Sequence, residues 1–376
     1  MSTPRTVLVI GGGAAGNAVT ILLRRAGVTV DLIEARPDWN ATTGSGITLQ
    51  GNALRVLREL GVWDQVEASG FAYGELGVTT PDGTVVHVEQ DIRTGGEDLP
   101  ATLGMQRPQL QRILIDAVRA SGATVRLGTT AEKLTQDTDG VSVRFSDGTE
   151  GRYDLAIGAD GLNSATRAAI GITARPEPTG MAIWRTPAPR PAGVTRTDLA
   201  YGGPAYIAGY SPTGENTLYA YVVEARRERD SVDPAAYADE MCALARSYGG
   251  FWPEIVRHIT DPAKINYTCF ESLLVEGSWH RGRVVLIGDA AHCCPPTLAQ
   301  GAAMSLEDAS VLAELLSDGR DWNDELFQGF HDRRIPRVRS VVEASLQLGR
   351  WQLDGVRDAD VPGLMARTMN PLRERP

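Results

Sequence analysis

Residues Thr6–Gly16 read TVLVIGGGAAG. The apolar run Thr6–Ile10 has the length and character of a buried parallel strand. It enters a loop in which Gly11, Gly13 and Gly16 satisfy G-x-G-x-x-G. A helical pattern follows from Ala14 to about Ala26 and stops at Gly27, and a second strand, VTVDLIEAR, carries Glu34, Ala35 and Arg36 at its end. Gly11 permits the tight turn, Gly13 lets a pyrophosphate approach the backbone, and Gly16 lets the helix pack on the strand. Amides at the helix start, with Ala15 among them, then face the phosphates. Glu34 stands about 20 residues beyond the loop, where a carboxylate accepts hydrogen bonds from a ribose diol. Strand, helix, second strand and acidic terminus agree on an adenine dinucleotide. NAD and FAD are both compatible with these residues, and Arg36 does not separate them.

The 376-residue chain is long enough for one large domain or two intertwined ones with a sizeable core. A net charge of −10 argues against nucleic acid or an anionic membrane as the main partner. Lys133 and Lys264 are the only lysines, so nearly all positive charge is arginine. The N-terminus leads directly into a strand without a signal-peptide pattern, and no apolar run approaches the roughly 20 residues of a membrane helix. Cys242, Cys269, Cys293 and Cys294 have neither CxxC nor metal-ligand spacing, which predicts reduced thiols in a cytoplasmic protein with no metal site.

Of three later segments, the last repeats the pattern of a strand meeting a helix. Thr43–Leu60 (TGSGITLQGNALRVLREL) is a small-residue turn followed by an amphipathic helix, and it carries Thr48. MQRPQLQRILIDAV predicts a helix with Leu110 and Leu114 on one face and Arg107 near its start. After the alternating strands TVRLGTTAEKL and GVSVRFSDGTEGRYDLAIGADG, a buried run ends at Asp160-Gly161, ahead of Ser164 and Arg167. Asp160 suits either a ribose contact or an ordinary Asp-Gly turn.

The stretch Val284–Leu316, VVLIGDAAHCCPPTLAQGAAMSLEDASVLAELL, is the third crossing. An apolar strand ends in Gly288-Asp289, two prolines stiffen the loop, and a helix opens at about Gly301. Three strand ends with acidic or glycine-rich tips predict one cofactor stretched over the carboxyl edge of a sheet.

Taken in order, GGGAAG with Glu34, Arg107 in R-x-x-L-x-x-x-L, GADG at 158–161 and GDAAH at 288–292 with PP and QG resemble the FAD-dependent monooxygenases of the para-hydroxybenzoate hydroxylase fold. The motifs span residues from about 6 to 340. The resemblance implies FAD in the first loop, with Glu34 on the adenosine ribose, Arg107 near the phosphates or ribitol, and Asp289 on the ribityl chain. It places Thr48 on the flavin side, Ala131 by the adenine, and Asp160 in a motif tied to both FAD and NAD(P)H. The helix start at Gly301, Ala302 and Ala303 would aim amides at the flavin's pyrimidine edge. Pro295 and Pro296 would wall the reactive face, where the family forms a flavin hydroperoxide with O₂. Two departures stand out. Ala299 replaces a glycine and Ala303 an asparagine of the family's P-x-x-G-Q-G-x-N. His292 reads as a structural histidine, and Cys293 and Cys294 read as packing residues.

The implied fold is α/β, a Rossmann-like FAD-binding domain with an inserted antiparallel-sheet substrate domain and C-terminal helices. The expected division gives residues 1–70, 98–175 and 272–320 to the FAD-binding domain. Residues 71–97 and 176–271 form the substrate domain, and 321–376 a C-terminal helical segment kinked or turned at Pro336, with a frayed RERP end. In the substrate domain Tyr219 and Tyr221 share a face, with Tyr206 or Tyr210 opposite. That row is either a half-buried strand face or a pocket wall that stacks on an aromatic ring. Trp184 and Arg185 read as a structural pair or as part of that wall, and no cluster of positive charge marks an anionic substrate. Tyr206, Tyr219 and Pro296 are the candidates nearest the chemistry, and the catalytic residues are otherwise unassigned.

The function implied is a single-component monooxygenase, monomer or homodimer, that consumes NADH or NADPH and O₂ and hydroxylates a small aromatic or heteroaromatic compound. Its alternatives are an FAD epoxidase or alkene reductase on the same frame, or a non-catalytic flavoprotein that binds an aromatic compound. The missing W-x-W-x-I-P pattern disfavours a halogenase, and the late GDAAH segment disfavours an NAD-only dehydrogenase.

Overall fold

The computed structural model describes residues 5–40, 45–228 and 232–376, so the Thr43-Gly44 start of the small-residue turn lies outside the described residues. At the centre is a six-stranded sheet in the order His280–Arg281, Val284–Leu286, Leu155–Gly158, Thr6–Ile10, Thr29–Glu34, Thr124–Leu127. All its pairings are parallel except the edge pair formed by His280–Arg281. The first strand is central and buried on both faces, which is why it reads as a continuous apolar run. Val7, Val9, Leu32 and Ile157 join the large core beneath the helices, while Leu8, Ile10 and Ile33 pack under Val141, Val143 and Phe145 of a small antiparallel sheet. The two faces of one strand thus serve two different layers. Truncating a core side chain such as Leu8 would cost about 2–5 kcal/mol.

Helix Ala14–Arg25 begins at Gly13 with no side-chain cap and no acidic residue in its first turn. Arg24 and Arg25 stand in its last turn, matching the helix dipole, and Gly27 follows with φ +82°. Helix Gly301–Ser317 packs beside it, so the start of each points to the same sheet edge. Helix Asp324–Leu353 continues through Pro336 without a break, because the preceding and following turns are anchored by packing. The C-terminal end is tied down rather than frayed. Arg333 donates to the Pro376 carbonyl at 2.8 Å, Arg55 to that of Glu374 at 3.0 Å, and Arg337 to that of Leu372 at 3.1 Å.

An eight-stranded sheet lies across this unit, in the order His292–Cys293, Asn266–Leu274, Glu177–Pro189, Thr217–Ala225, Ile207–Pro212, Thr197–Tyr201, Glu75–Thr79, Val85–Gln90. It is antiparallel except where Thr197–Tyr201 runs parallel to Glu75–Thr79. One face buries Trp184, Tyr210 and Leu218 under helices Tyr237–Ala245 and Trp252–Val256. The opposite face carries Arg185, Tyr219 and Tyr221, because residues paired across strands point the same way. A three-stranded sheet of Gly46–Gln50, Thr102–Gln106 and Phe71–Tyr73 lies between the two larger sheets. Its Thr48 hydroxyl is 3.3 Å from that of Tyr219.

Candidate active site

The glycine loop is fixed by two backbone bonds, Gly11 N–H to Ile33 O and Ala159 N–H to Ile10 O, each 2.8 Å. Gly11 has φ +108°, and a Cβ there would lie 2.4 Å from the Ala159 carbonyl oxygen. On Gly16 a Cβ would fall 1.9 Å from the Gly11 oxygen. Gly11 and Gly16 are therefore demanded by the fold itself. Gly13 is not, since a Cβ on it would meet nothing within 4 Å. Its missing side chain leaves open space in front of uncapped helix amides.

Glu34 accepts the Gly12 amide on Oε2 at 2.8 Å and the Arg36 amide on Oε1 at 3.0 Å. The Gly12 carbonyl in turn accepts from Trp39 Nε1 at 2.9 Å, Asn17 Nδ2 at 3.0 Å and Gln111 Nε2 at 2.8 Å. Trp39, Asn17 and Gln111 are absent from any glycine fingerprint, yet together they hold the loop's middle residue. Ala35 and Arg36 continue past the strand, and the Gly128 amide bonds the Arg36 carbonyl at 3.1 Å. Ala131 opens the next strand close by, partly buried over Leu8 and Ile33.

The other two crossings meet the first. The Ile287 amide bonds the Gly158 carbonyl at 3.0 Å, and a Cβ on Gly288, which has φ +59°, would lie 3.1 Å from the Ala15 methyl. Asp160 is largely occupied within its own turn, accepting from the Ser164 hydroxyl and from the Thr166 amide and hydroxyl, both at 2.9 Å. Arg167, buried next to it, donates to the Ala290 carbonyl at 3.0 Å and so ties the DG turn to the GDAA loop.

Asp289 and Arg107 differ from these. Among the described residues, Asp289 makes no hydrogen bond or ion pair, and neither does Arg107 at the first position of helix Arg107–Ala120. The Asp289 side chain is open to the space above the sheet edge but ringed by protein. Desolvation holds its carboxyl above the usual range, while His292 and Arg107 pull the other way. Helix Gly301–Ser317 starts alongside, uncapped by any side chain and without an acidic residue in its first turn. Gly301 and Ala302 are partly buried there, and Ala303 is a core residue.

These features suit FAD. Open space at Gly13, uncapped amides at two helix starts, an unpartnered guanidinium and an unpartnered carboxylate match a diphosphate and a polyol chain.

The face of the second sheet turned away from its helices is half-buried. Tyr219 and Tyr221 stack with ring centroids 5.1 Å apart. Burial, with Tyr219 and Tyr73 adding to it, raises the Tyr221 hydroxyl well above its ordinary range. Tyr206 precedes the Ile207–Pro212 strand and packs with Ile207 and Val223 on this side. Tyr210 does not join them. It points to the helical layer, with Phe251 and Trp252 as ring neighbours, and its hydroxyl bonds Asp198 at 3.1 Å. Trp184 also faces that layer, donating to Glu224 at 2.7 Å. Arg185, next in sequence, faces the cleft. Its guanidinium bonds the Thr268 hydroxyl, while its buried Nε has no partner. Burial lowers its pKa, the neighbouring Tyr219 acts against this, and Arg107 adds to it. Arg107 thus contributes a weak like-charge effect on Arg185, although the two are far apart in sequence.

His292 is a structural residue. It is buried, its Nε2 lies 2.6 Å from Asp308 Oδ2, and its ring packs 5.2 Å from that of Trp279. Burial pushes the Cys294 thiol up to about 12 and raises that of Cys293 as well, so neither is a ready nucleophile. Among the described residues, no group of three or more His, Cys, Asp or Glu is placed to hold a metal, and no helix is long and apolar enough to cross a membrane.

Residues 5–345 match the FAD binding domain family. The chain is 31% identical over 359 residues to an aurachin C monooxygenase/isomerase of Stigmatella aurantiaca, covering 94% of this chain and 91% of that protein. It is 28% identical over 351 residues to an FAD-dependent urate hydroxylase of Klebsiella oxytoca, covering 89% and 87%. The crystal structure of a 2-methyl-3-hydroxypyridine-5-carboxylic acid oxygenase variant superposes with a TM-score of 0.83 at 24% identity, covering 99% of this chain and 96% of that one, which shows the shared fold. The chain belongs to the family of FAD-dependent monooxygenases.

Proposed function

We propose that this member of the family is a single-component, NAD(P)H-consuming hydroxylase of a small aromatic or heteroaromatic compound, with an acidic group on the ring system as the preferred handle. The carrying observation is the cleft itself. Arg107 and Asp289 have no side-chain partner among the described residues, and a stacked tyrosine pair shares a sheet face with Arg185, whose Nε is unsatisfied. Urate in the name of one relative supports a heteroaromatic substrate class.

In this reading Gly11, Gly13, Ala15 and Gly16 shape the pyrophosphate loop, and Glu34 takes the adenosine ribose. Ala35, Arg36 and Ala131 border the adenine. Arg107 neutralises phosphate, and Asp289 accepts from the ribityl hydroxyls. Asp160 orders the turn that supports this edge, and Thr48 lines the flavin side. The amides of Gly301, Ala302 and Ala303 favour negative charge at the ring edge they face. Bound FAD supplies the redox chemistry with NAD(P)H and O₂. The protein's own part is to orient the ring of the substrate and keep water out, through Tyr219, Tyr206 and Pro296. No general base is required where the substrate's own hydroxyl or ring nitrogen pushes electrons toward the incoming oxygen.

We further infer that residues 1–70, 98–175 and 272–320 act as the FAD-binding unit, with 71–97 and 176–271 as the substrate unit. Four free cysteines and the demand for NAD(P)H support a cytoplasmic setting.

The test is NAD(P)H oxidation by the purified flavoprotein against phenols, hydroxypyridines, purines and quinolones, with mass spectrometry of each mixture. A stimulated rate with a product one oxygen heavier is the expected result. A product two hydrogens heavier would instead establish an alkene reductase, and binding without any oxidation would refute the single-component reading.

A further inference from the structure

Ala299 has φ +53° and is the only non-glycine residue with positive φ among the described residues. A Cβ makes that left-handed conformation unfavourable, so it persists only where the surroundings over-determine it. Ala299 separates the single turn Pro296–Leu298 from helix Gly301–Ser317. The two residues flanking it are gripped by the same side chain. Gln50 Nε2 donates to the Leu298 carbonyl at 3.0 Å, and Gln50 Oε1 accepts from Gln300 Nε2 at 2.5 Å. Gln300 is fully buried and is completed by Asn52, which donates to its Oε1 at 3.0 Å. Asn52 is itself fixed by Thr94 and Glu307. The clamp therefore has a rigid base in the core and a single arm, Gln50, that reaches both sides of the strained residue. That arm ends the strand Gly46–Gln50, whose Thr48 meets Tyr219 of the substrate face.

We propose that Gln50 is a positioning residue that holds Ala299 in its left-handed conformation and thereby sets the Leu298–Ala302 edge against which the flavin ring lies. The proposal rests on the reading that this late loop faces the flavin. With glycine at position 299 the same turn would form without help. In this chain the alanine makes the loop's shape depend on a side chain from the other end of the sequence.

The experiment is a double-mutant cycle on the full-length chain, with FAD affinity from fluorescence titration and stability from urea denaturation. Ala299→Gly is expected to raise the urea midpoint. Gln50→Leu, and Gln50→Glu as a volume-matched variant that loses the donor, should weaken FAD binding by about 5- to 20-fold in the Ala299 background. In the Ala299→Gly background the same changes should weaken it by less than about twofold, since glycine adopts the conformation unaided. Equal losses in both backgrounds, or a lower urea midpoint for Ala299→Gly, would overturn the clamp. A rescue seen only in the urea midpoint, with FAD affinity unmoved throughout, would overturn the positioning role by showing that the loop does not face the flavin.

Discussion

Asp308 Oδ2 lies 2.6 Å from His292 Nε2 and also accepts the Gly288 amide at 2.8 Å. Its other oxygen accepts from Arg334 Nε at 2.7 Å, and Arg334 reaches Glu307 at 2.9 Å, with Arg334, Glu307 and Asp308 all 0% exposed. A carboxylate as the acceptor requires His292 to carry its proton on Nε2. The network thus pins the turn that presents Asp289 to a helix that begins beyond residue 320. Asp308→Asn would leave Arg334 with Glu307 as its remaining carboxylate partner, and losing the buried charge-assisted hydrogen bonds to Asp308 should cost about 1.5–3 kcal/mol. Urea denaturation should show a loss of that size, and a loss below 1 kcal/mol would mean the pair contributes no more than a surface contact.

The same residue sets an acid limit. Desolvation, the largest influence on the Asp308 carboxyl, raises its pKa, but His292 and Arg334 together bring it below the ordinary value. A carboxyl lowered on folding contributes its stability above the unfolded pKa of about 3.9 and loses it as pH falls from there through the folded value. The wild-type protein should therefore lose stability steeply below about pH 4, and Asp308→Asn should flatten that limb of the urea-midpoint profile. An unchanged slope in the variant would refute the assignment.

Gly13 and Gly16 separate folding from ligand binding. Gly16→Ala places a methyl 1.9 Å from the Gly11 oxygen and should destabilise the chain even without FAD, whereas Gly13→Ala meets no protein atom within 4 Å. Gly13→Ala should leave the FAD-free urea midpoint within about 0.5 kcal/mol of wild type, as expected for a site without contacts. FAD affinity should nonetheless fall by about tenfold or more, as displaced amide–phosphate contacts require. If both variants lose stability equally, the loop is structural at every glycine.

Legibility followed sequence distance and period. The glycine loop, Glu34, the DG turn and the GD turn are local patterns, and each lies at the sheet edge that its pattern implied. Tyr219 and Tyr221 obeyed strand alternation, but Tyr206 sits just before its strand, beyond the Gly202-Gly203 turn, where a period of two no longer assigns a face. Tyr210 lies inside the strand and points to the helical layer. The Gln50–Gln300 and Arg334–Asp308 contacts could not be read from either member, since a polar residue at a strand end, a helix start or on a helix looks like a solvated position until a distant segment covers it. Arg107 and Arg185 are likewise ordinary alone, and only the fold brings the charge of one to bear on the other.

The proposed role of Asp289 sets stability against binding. Its folded pKa is raised, chiefly by desolvation, so ionisation at neutral pH works against the FAD-free fold. The stability it allows is complete below the unfolded pKa and declines as pH rises through the folded one. Asp289→Asn should raise the urea midpoint of the FAD-free chain at neutral pH and narrow its advantage over wild type as the pH is lowered. With Asp289 accepting from the ribityl hydroxyls as proposed, the same change should weaken FAD by about 10- to 100-fold, the range of a charge-assisted hydrogen bond. A variant that is both less stable and equally tight would show that Asp289 points away from the cofactor.

In the proposed function Arg185 selects the substrate. Desolvation lowers its pKa, but a guanidinium at neutral pH stays protonated, so the face beside Tyr219 carries a positive charge with an unpartnered Nε. A ring with a carboxylate or another ionised substituent would supply the missing acceptor, and a neutral phenol would not. Arg185→Gln keeps a polar side chain but loses the charge and the guanidinium bond to Thr268. It should lower kcat/KM for ionised aromatic substrates by about 10- to 100-fold, mainly through KM, because the lost contact is made before and during reaction alike. For a neutral analogue the change should be less than about threefold, within the effect of a lost neutral hydrogen bond. The bound-flavin spectrum should not move, since Arg185 belongs to the opposite sheet. Paired assays on carboxylated and uncarboxylated phenols measure both ratios, and an equal fall in the two would mean that Arg185 braces the sheet rather than selecting the substrate.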